Sequence, residues 1–337
     1  MHKKIISCLI LIGVGCCVLL SGCETKKEAG HIEKLIIAAS TTIHPVLIKI
    51  AEEKGFFREE GLDVTLQFHT TGISGLQSLI SGKADLATAA DTPLMFTMMR
   101  GAKLSILATI ETSTKNVAIV ARKDRGISSA ADLKGRRIGV PFGTSGDYFL
   151  DSYLTLNGMN RKDVILVDMK PEKMAGALHQ GKVDAVSVWN PLVTTLGKEL
   201  GDRGVMLHND SAYKETSNVV SMQGFAEQHP ETIRRLLRAL VRAEDFVLNN
   251  PQESQRIISK FCGIDIPTLM NIWNDFQFIV SLKQSLLLSL ENQAHWAINN
   301  DLTDNHRTMP NFYDSIYTKG LKAVKPEAFN IITMEIK

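Results

Sequence analysis

Two stretches of the chain carry groups suited to recognition: Ser81 to Pro93 (SGKADLATAADTP) and Gln180 to Pro191 (QGKVDAVSVWNP). Each reads polar, Gly, Lys, any residue, Asp, a run of small and β-branched residues, then a polar residue and Pro. The echo places Asp91 and Trp189 as opposed positions of a cleft. A carboxylate and an indole there suit the capture of a small solute, so binding is expected, and not catalysis. The chain contains no Gly-x-Ser-x-Gly, His-Glu-x-x-His, GxGxxG or Gly-Lys-Ser/Thr phosphate loop, and the GTSG at Gly143 is too short to count. The nine histidines lack metal-ligand spacing; His44 and His69 fall near expected strand ends and read as satisfied surface or core residues. No metal and no cofactor are expected.

The same pattern predicts the elements around these residues. Gly82 and Gly181 end a helix, where glycine enters the left-handed cap without strain. The apolar run behind each Lys-x-Asp suits a strand buried on both faces. Pro93 and Pro191 are expected at the first position of a following helix, with Thr92 and Asn190 as caps. Strands are expected at Lys34–Ser40, Leu62–His69, Leu104–Ile110 and Asn116–Arg122, then Arg137–Val140, Val164–Asp168, Val205–Asn209 and Asn218–Gly224. Thr70 to Gly75 reads as a hydroxyl-rich turn before a helix at Leu76–Ser81. Asp85 and Asp184 stand 99 residues apart, and Gly61 and Gly158 stand 97 apart, so a second α/β lobe repeats the first. Strands alternating with helices in this way call for parallel sheets. Beyond Gly224 helices are expected at Pro230–Leu248, through Phe261, at Pro267–Phe278 and at Ser285–Ile298, with Trp273 and Trp296 in the core. The crossings between lobes are expected at Ala121–Lys123 and Ser221–Phe225. Lobe 1 would then be 32–121 with 223–337, and lobe 2 would be 122–222.

The chain has 337 residues, 44% of them hydrophobic, which is enough for two ordinary cores. Its first 22 residues form a separate unit, with a basic start at His2, Lys3 and Lys4 and an apolar run from Ile5 to Leu20. Removing residues 1–22 removes Lys3 and Lys4 and no acid, which takes the net charge from +2 to zero. That leaves no basic field for nucleic acid. Of the five cysteines, Cys8, Cys16 and Cys17 belong to this leader. Cys262, the last, reads as a buried apolar residue without a disulfide partner.

Leu20-Ser21-Gly22-Cys23 resembles the lipobox of bacterial lipoproteins, which implies cleavage before Cys23, lipid on its sulfur and a tether over residues 23–31. DLKGRRIGVPFGTSGDYFL, AEEKGFFREEGLDV, GISGLQSLISGKADLATAADTP and GALHQGKVDAVSVWNP resemble the nitrate, sulfonate and taurine branch of bacterial ABC-transporter substrate-binding proteins. The fold implied is the periplasmic-binding-protein type II arrangement, two α/β lobes with parallel-type sheets joined by two hinge crossings. The function implied is capture of a small solute, a sulfonate, taurine or nitrate-like anion, and its delivery to a membrane permease with its ATPase. The alternatives are a pyrimidine or thiamine precursor, an amine-bearing ligand or an enzyme on the same fold. The protein is expected to be an exported monomer held to the membrane by its lipid.

The resemblance puts contacts at Ser40, Thr41, Thr42, Thr71, Gly72, Asp91 and Thr92 in the first lobe. In the second it puts them at Thr144, Ser145, Tyr148, Trp189 and Asn190. Thr144-x-x-Asp147 also has the spacing of a capping box. Asp147 is thus expected to cap its helix, or with Asp91 to mark a ligand with a cationic end.

Overall fold

The computed structural model describes residues 32–303 and 308–332. The leader, Cys23 and the expected tether lie outside the described residues.

Among the described residues twelve strands form two mixed sheets. The larger contains β1 (Glu33–Ser40), β2 (Leu62–His69), β3 (Leu86–Ala90), β4 (Leu104–Ser113), β10 (Glu215–Met222), β11 (Phe276–Lys283) and β12 (Phe329–Asn330), in the order β12-β11-β4-β10-β3-β1-β2. The smaller contains β5 (Val117–Arg122), β6 (Arg137–Val140), β7 (Ile165–Asp168), β8 (Ala185–Trp189) and β9 (Gly204–Leu207), in the order β7-β6-β8-β5-β9. Thirteen α-helices are found among the described residues. Around the first sheet they are α1 (Val46–Glu53), α2 (Phe56–Glu59), α3 (Gly72–Ile80) and α4 (Asp91–Met99). Around the second are α5 (Ser145–Leu156), α6 (Pro171–Gln180) and α7 (Leu192–Leu200). The chain ends in α8 (Gln223–Gln228), α9 (Pro230–Asn249), α10 (Pro251–Cys262), α11 (Ile266–Trp273), α12 (Gln284–Asn299) and α13 (Thr318–Val324).

The repeated motif performs the same task in both sheets. Gly82 and Gly181 take φ of 69° and 70°, where a side chain would be strained. Asp85 Oδ2 accepts the backbone N–H of Ile36 at 2.7 Å, and Asp184 Oδ2 accepts that of Arg137 at 3.0 Å. Each Asp therefore holds the residue just before the parallel pairing begins, β1 against β3 at Ile37 and β6 against β8 at Ile138. The strands behind them are buried on both faces up to their last residue, Ala90 in one sheet and Trp189 in the other.

Three expectations are corrected. Parallel pairing holds for β1 with β2 and β3, and for β6 with β7 and β8, but β10 and β5 each run antiparallel to both neighbours. The crossings fall earlier than Ala121–Lys123 and Ser221–Phe225. The chain passes between sheets at residues 114–116 and returns at 208–214, because β5 pairs with β8 and β9 while β10 lies between β3 and β4. The cores divide the same way, with Leu35 to Ile110 and Val219 to Ile331 in one and Val117 to Tyr213 on the two faces of the smaller sheet. Finally, the expected helix Pro267–Phe278 stops at Trp273. Phe276–Lys283 pairs as a strand with β4, burying Phe276, Phe278 and Val280.

Candidate functional site

The carboxyl ends of the parallel strands face one another across a cavity of about 30 Å³. Ser40, Thr42 and His44 follow β1, Thr71, Gly72 and Ile73 follow β2, and Thr88, Ala89 and Ala90 end β3. Pro93 comes from α4, Thr144 and Ser145 from the start of α5, Trp189 from the end of β8 and Ser217 from β10. A neighbouring cleft of about 690 Å³, with Phe142, Lys170 and Lys173 in its wall, shares Thr71, Ile73 and Thr144 with this cavity.

Two helices aim their first turns at the cavity, one from each sheet. On α3 the hydroxyl-rich segment is the first turn itself, with Thr71 as cap; its Oγ1 accepts the Ser74 N–H at 3.3 Å. On α5 Thr144 is the N-cap, but its Oγ1 donates to the Pro141 carbonyl at 2.6 Å. The first N–H groups of a helix have no partner within it, and the dipole there favours negative charge. α5 approaches β8 so closely that a Cβ at Gly146 would lie 2.8 Å from the Ser187 carbonyl oxygen. Ser187 Oγ donates to the Gly146 carbonyl at 2.7 Å and fixes that contact. Thr88 Oγ1 and Ser217 Oγ are buried with no hydrogen-bond partner, and both residues line the cavity. Such orphaned hydroxyls are donors available to a ligand oxygen.

Of the twelve expected contacts, Ser40, Thr42, Thr71, Gly72, Thr144, Ser145 and Trp189 line the cavity. Thr41, Asp91, Thr92, Tyr148 and Asn190 do not. Thr41 is exposed. Asp91 is fully buried, accepting hydrogen bonds from Tyr213 Oη, from Ser289 Oγ at 2.9 Å and from Gln293 Nε2 at 2.8 Å. Burial raises its pKa to about 6 against those three hydrogen bonds. Thr92 is buried beside it, within 3.4 Å of Tyr213 Oη.

The residue opposite Trp189 is Ala90, which keeps the 99-residue offset of the two Asp anchors. Helix α4 begins at Asp91, so Thr92 is in its first turn and Pro93 is its third residue, not its first. α7 likewise begins at Leu192, after Pro191, and Asn190 Oδ1 accepts the Thr194 N–H at 3.3 Å.

Asp147 forms no capping box. It accepts the Gly143 N–H at 3.0 Å and Arg161 Nη1 at 2.7 Å. Tyr148 packs edge-on between Tyr213 and Trp296, each ring 5.2 Å away. Trp296 is half-buried and packs against the edge of the larger core, and from α12 its Nε1 donates to Asp151 on α5 at 2.6 Å, bridging the two sheets' helices. Trp273 is buried in the larger core.

His44, Thr88 and Ser217 are the polar lining residues that sequence reasoning missed. Thr88 stood in the echo, at the place Ser187 takes in the second copy. His44 lies between two glutamates. Its Nδ1 is 2.8 Å from Glu111 Oε2, and its Nε2 is 3.4 Å from Asn116 Nδ2 and 3.8 Å from Glu215 Oε1. Burial would lower its pKa, but the charge of Glu215 and the bond to Glu111 raise it to about 9. Burial in turn raises Glu111 to about 7, against the bond and charge of His44. Among the described residues no group of three or more His, Cys, Asp or Glu is placed to hold a metal ion.

A family model described as NMT1/THI5 like matches residues 44–254. A binding protein of Brucella abortus (strain 2308) is 30% identical over 219 residues, 64% of this chain and 67% of that protein. The taurine-binding periplasmic protein of Escherichia coli (strain K12) is 26% identical over 248 residues, 69% of this chain and 75% of that protein. The crystal structure of the periplasmic aliphatic sulphonate binding protein SsuA from Escherichia coli superposes with a TM-score of 0.74 at 19% identity. It covers 87% of this chain and 98% of that one, which shows that the two share a fold. Two facing α/β lobes and a family match across more than half the chain lead to one assignment: this protein belongs to the NMT1/THI5 like family.

Proposed function

We propose that this protein captures a small solute with an oxyanion head between its lobes and hands it to a membrane permease. It is the solute-binding component of an ABC importer, the role the taurine- and sulphonate-binding relatives support. The observation that carries the ligand class is the lining of the cavity. Seven hydroxyl residues, Ser40, Thr42, Thr71, Thr88, Thr144, Ser145 and Ser217, surround it with two helix N-termini, and no carboxylate lines it. Hydroxyls and free N–H groups bind a sulfonate-type head without adding net charge. Trp189 covers the head from the second lobe.

Binding without turnover fits the histidine, whose two ring nitrogens lie 2.8 Å from Glu111 Oε2 and 3.4 Å from Asn116 Nδ2. The lobes, residues 32–113 with 215–332 and residues 117–207, would close about the crossings at 114–116 and 208–214. The leader and Cys23 would export the protein and tether it by lipid at the outer face of the cytoplasmic membrane or in the periplasm, as a monomer beside the permease and its ATPase. An amine-bearing or heterocyclic solute is the second reading, favoured by the indole of Trp189 in the wall and the carboxylates of Glu111 and Glu215 behind His44.

Calorimetry on the full chain with ethanesulfonate, taurine, nitrate and a pyrimidine amine tests the assignment. One-to-one binding of a sulfonate is expected, with about 3–4 kcal/mol of thermal stabilisation at a few hundred times Kd. Trp189→Ala should weaken it with the fold intact. Binding of the pyrimidine amine alone would favour the second reading, and silence across the set would remove both.

A further inference from the structure

Beneath the cavity lies a buried cluster that the capture reading leaves without a role. Asn116 belongs to the first crossing, and Glu215 starts β10 directly after the second. Asn116 Nδ2 donates to Glu215 Oε2, so the two crossings are bonded to one another. The backbone N–H of Asn190 donates to Asn116 twice, to its carbonyl at 3.0 Å and to its Oδ1 at 3.2 Å. Asn116 therefore also holds the strand end that carries Trp189. On the other side His44 reaches from the cavity wall to Glu111 on β4 and toward Glu215. Asn116, Glu111 and Glu215 are each at most 2% exposed.

Glu111 lies opposite Ser217 across the β4–β10 ladder, and Glu215 lies two residues along on the same face. The Asp91 carboxylate on α4 adds to the charge felt by His44, and Tyr213 from the second crossing contacts Asp91. Two buried carboxyl groups thus flank a single imidazole, and the charge of a third, Asp91, acts on it. Without the positive charge on that ring, Glu111 and Glu215 would face one another uncompensated, which a buried site does not tolerate. Glu111 Oε1 and Glu215 Oε1 already lack hydrogen-bond partners.

We infer that His44, Asn116 and Glu215 form a clasp that positions both crossings, and that the closed arrangement of the lobes depends on the charge of His44. These are positioning residues for capture, and this role rests on the capture reading. The test needs no solute, so it can fail while sulfonate binding stands.

Hydrogen exchange of the full chain, corrected for intrinsic rates, would be followed from pH 7 to above pH 9.5. Segments 141–156 and 284–300 meet at the Asp151–Trp296 contact and report the lobe border, while β1 and β6 report folding. Protection at the border is expected to fall about tenfold across this range while the strands stay protected, equivalent to about 1.4 kcal/mol. His44→Gln should show the loosened border at pH 7 and no further step. Asn116→Ser, a milder change, should loosen the border at pH 7 and leave β1 and β6 unchanged. A border that stays protected in the unaltered protein above pH 9.5, a step that survives in His44→Gln, or full border protection in Asn116→Ser would each overturn the inference.

Discussion

Replacing Gly146 with alanine asks whether the start of α5 is held in place by the backbone of β8. The new Cβ would lie 2.8 Å from the Ser187 carbonyl oxygen and 3.4 Å from its carbonyl carbon. Both are backbone atoms of a buried central strand, so neither can swing aside, and α5 must shift. Overpacking of this kind costs about 1–3 kcal/mol. Ala is otherwise the better helix former by roughly 1 kcal/mol, so the net effect should be a loss of about 0–2 kcal/mol. Gly176 in α6 supplies the control, since a Cβ there meets only the flexible end of Gln180 at 3.8 Å. Gly176→Ala should stabilise the protein by about 0.5–1 kcal/mol. Urea denaturation measures both. Solute titration adds a second reading, because a displaced α5 carries Thr144 and Ser145 out of the cavity wall. If Gly146→Ala is as stable as Gly176→Ala and binds solute normally, the close packing does not position the site.

Three further outcomes are expected. Asp85→Asn and Asp184→Asn should each destabilise by about 1–3 kcal/mol in urea, because each weakens the acceptor of the strand amide just before the parallel pairing begins; a large loss from one and none from the other would break the equivalence of the two lobes. The His44 pKa, raised to about 9, lies above its unfolded value of 6.5, so its stabilisation is complete below about pH 6.5 and is lost as the pH rises through 9. The unfolding free energy from urea titrations should therefore fall between pH 7 and 9.5 by about 2 kcal/mol, and His44→Gln should flatten that slope; an unfolding free energy that rises with pH would reverse the assignment. Cys23→Ser should move the protein from the membrane fraction to the soluble one, and continued sedimentation with membranes would reject the lipid anchor.

What could be read from the chain depended on how local the cause was. The Gly-Lys-x-Asp echo was legible because left-handed glycines, buried strands and Asp anchors act within a dozen residues. The sheet to which β5 belongs was not, since LSILATI and NVAIVAR are equally apolar and only pairing partners distinguish them. Phe276 to Phe278 reads as the end of a helix for a similar reason, as the apolar run of β11 gains its strand character from β4. In the site, the hydroxyls at helix starts were visible as strand-end residues. Asp91 was displaced by one residue because α4 follows β3 with no loop between them. His44 reads from the sequence as a satisfied residue; its Nδ1 is paired, but the ring also lines the cavity. Its partner Glu111 is 67 positions away, beyond the reach of any local pattern.

The three tryptophans fall in three different settings: Trp189 in the cavity wall, Trp296 on the seam between α12 and α5, and Trp273 inside the larger core. A movement that parts the lobes would wet the first two indoles and leave the third dry. The molecule thus carries its own optical gauge of opening, with an internal standard, and needs no attached dye to be watched at work.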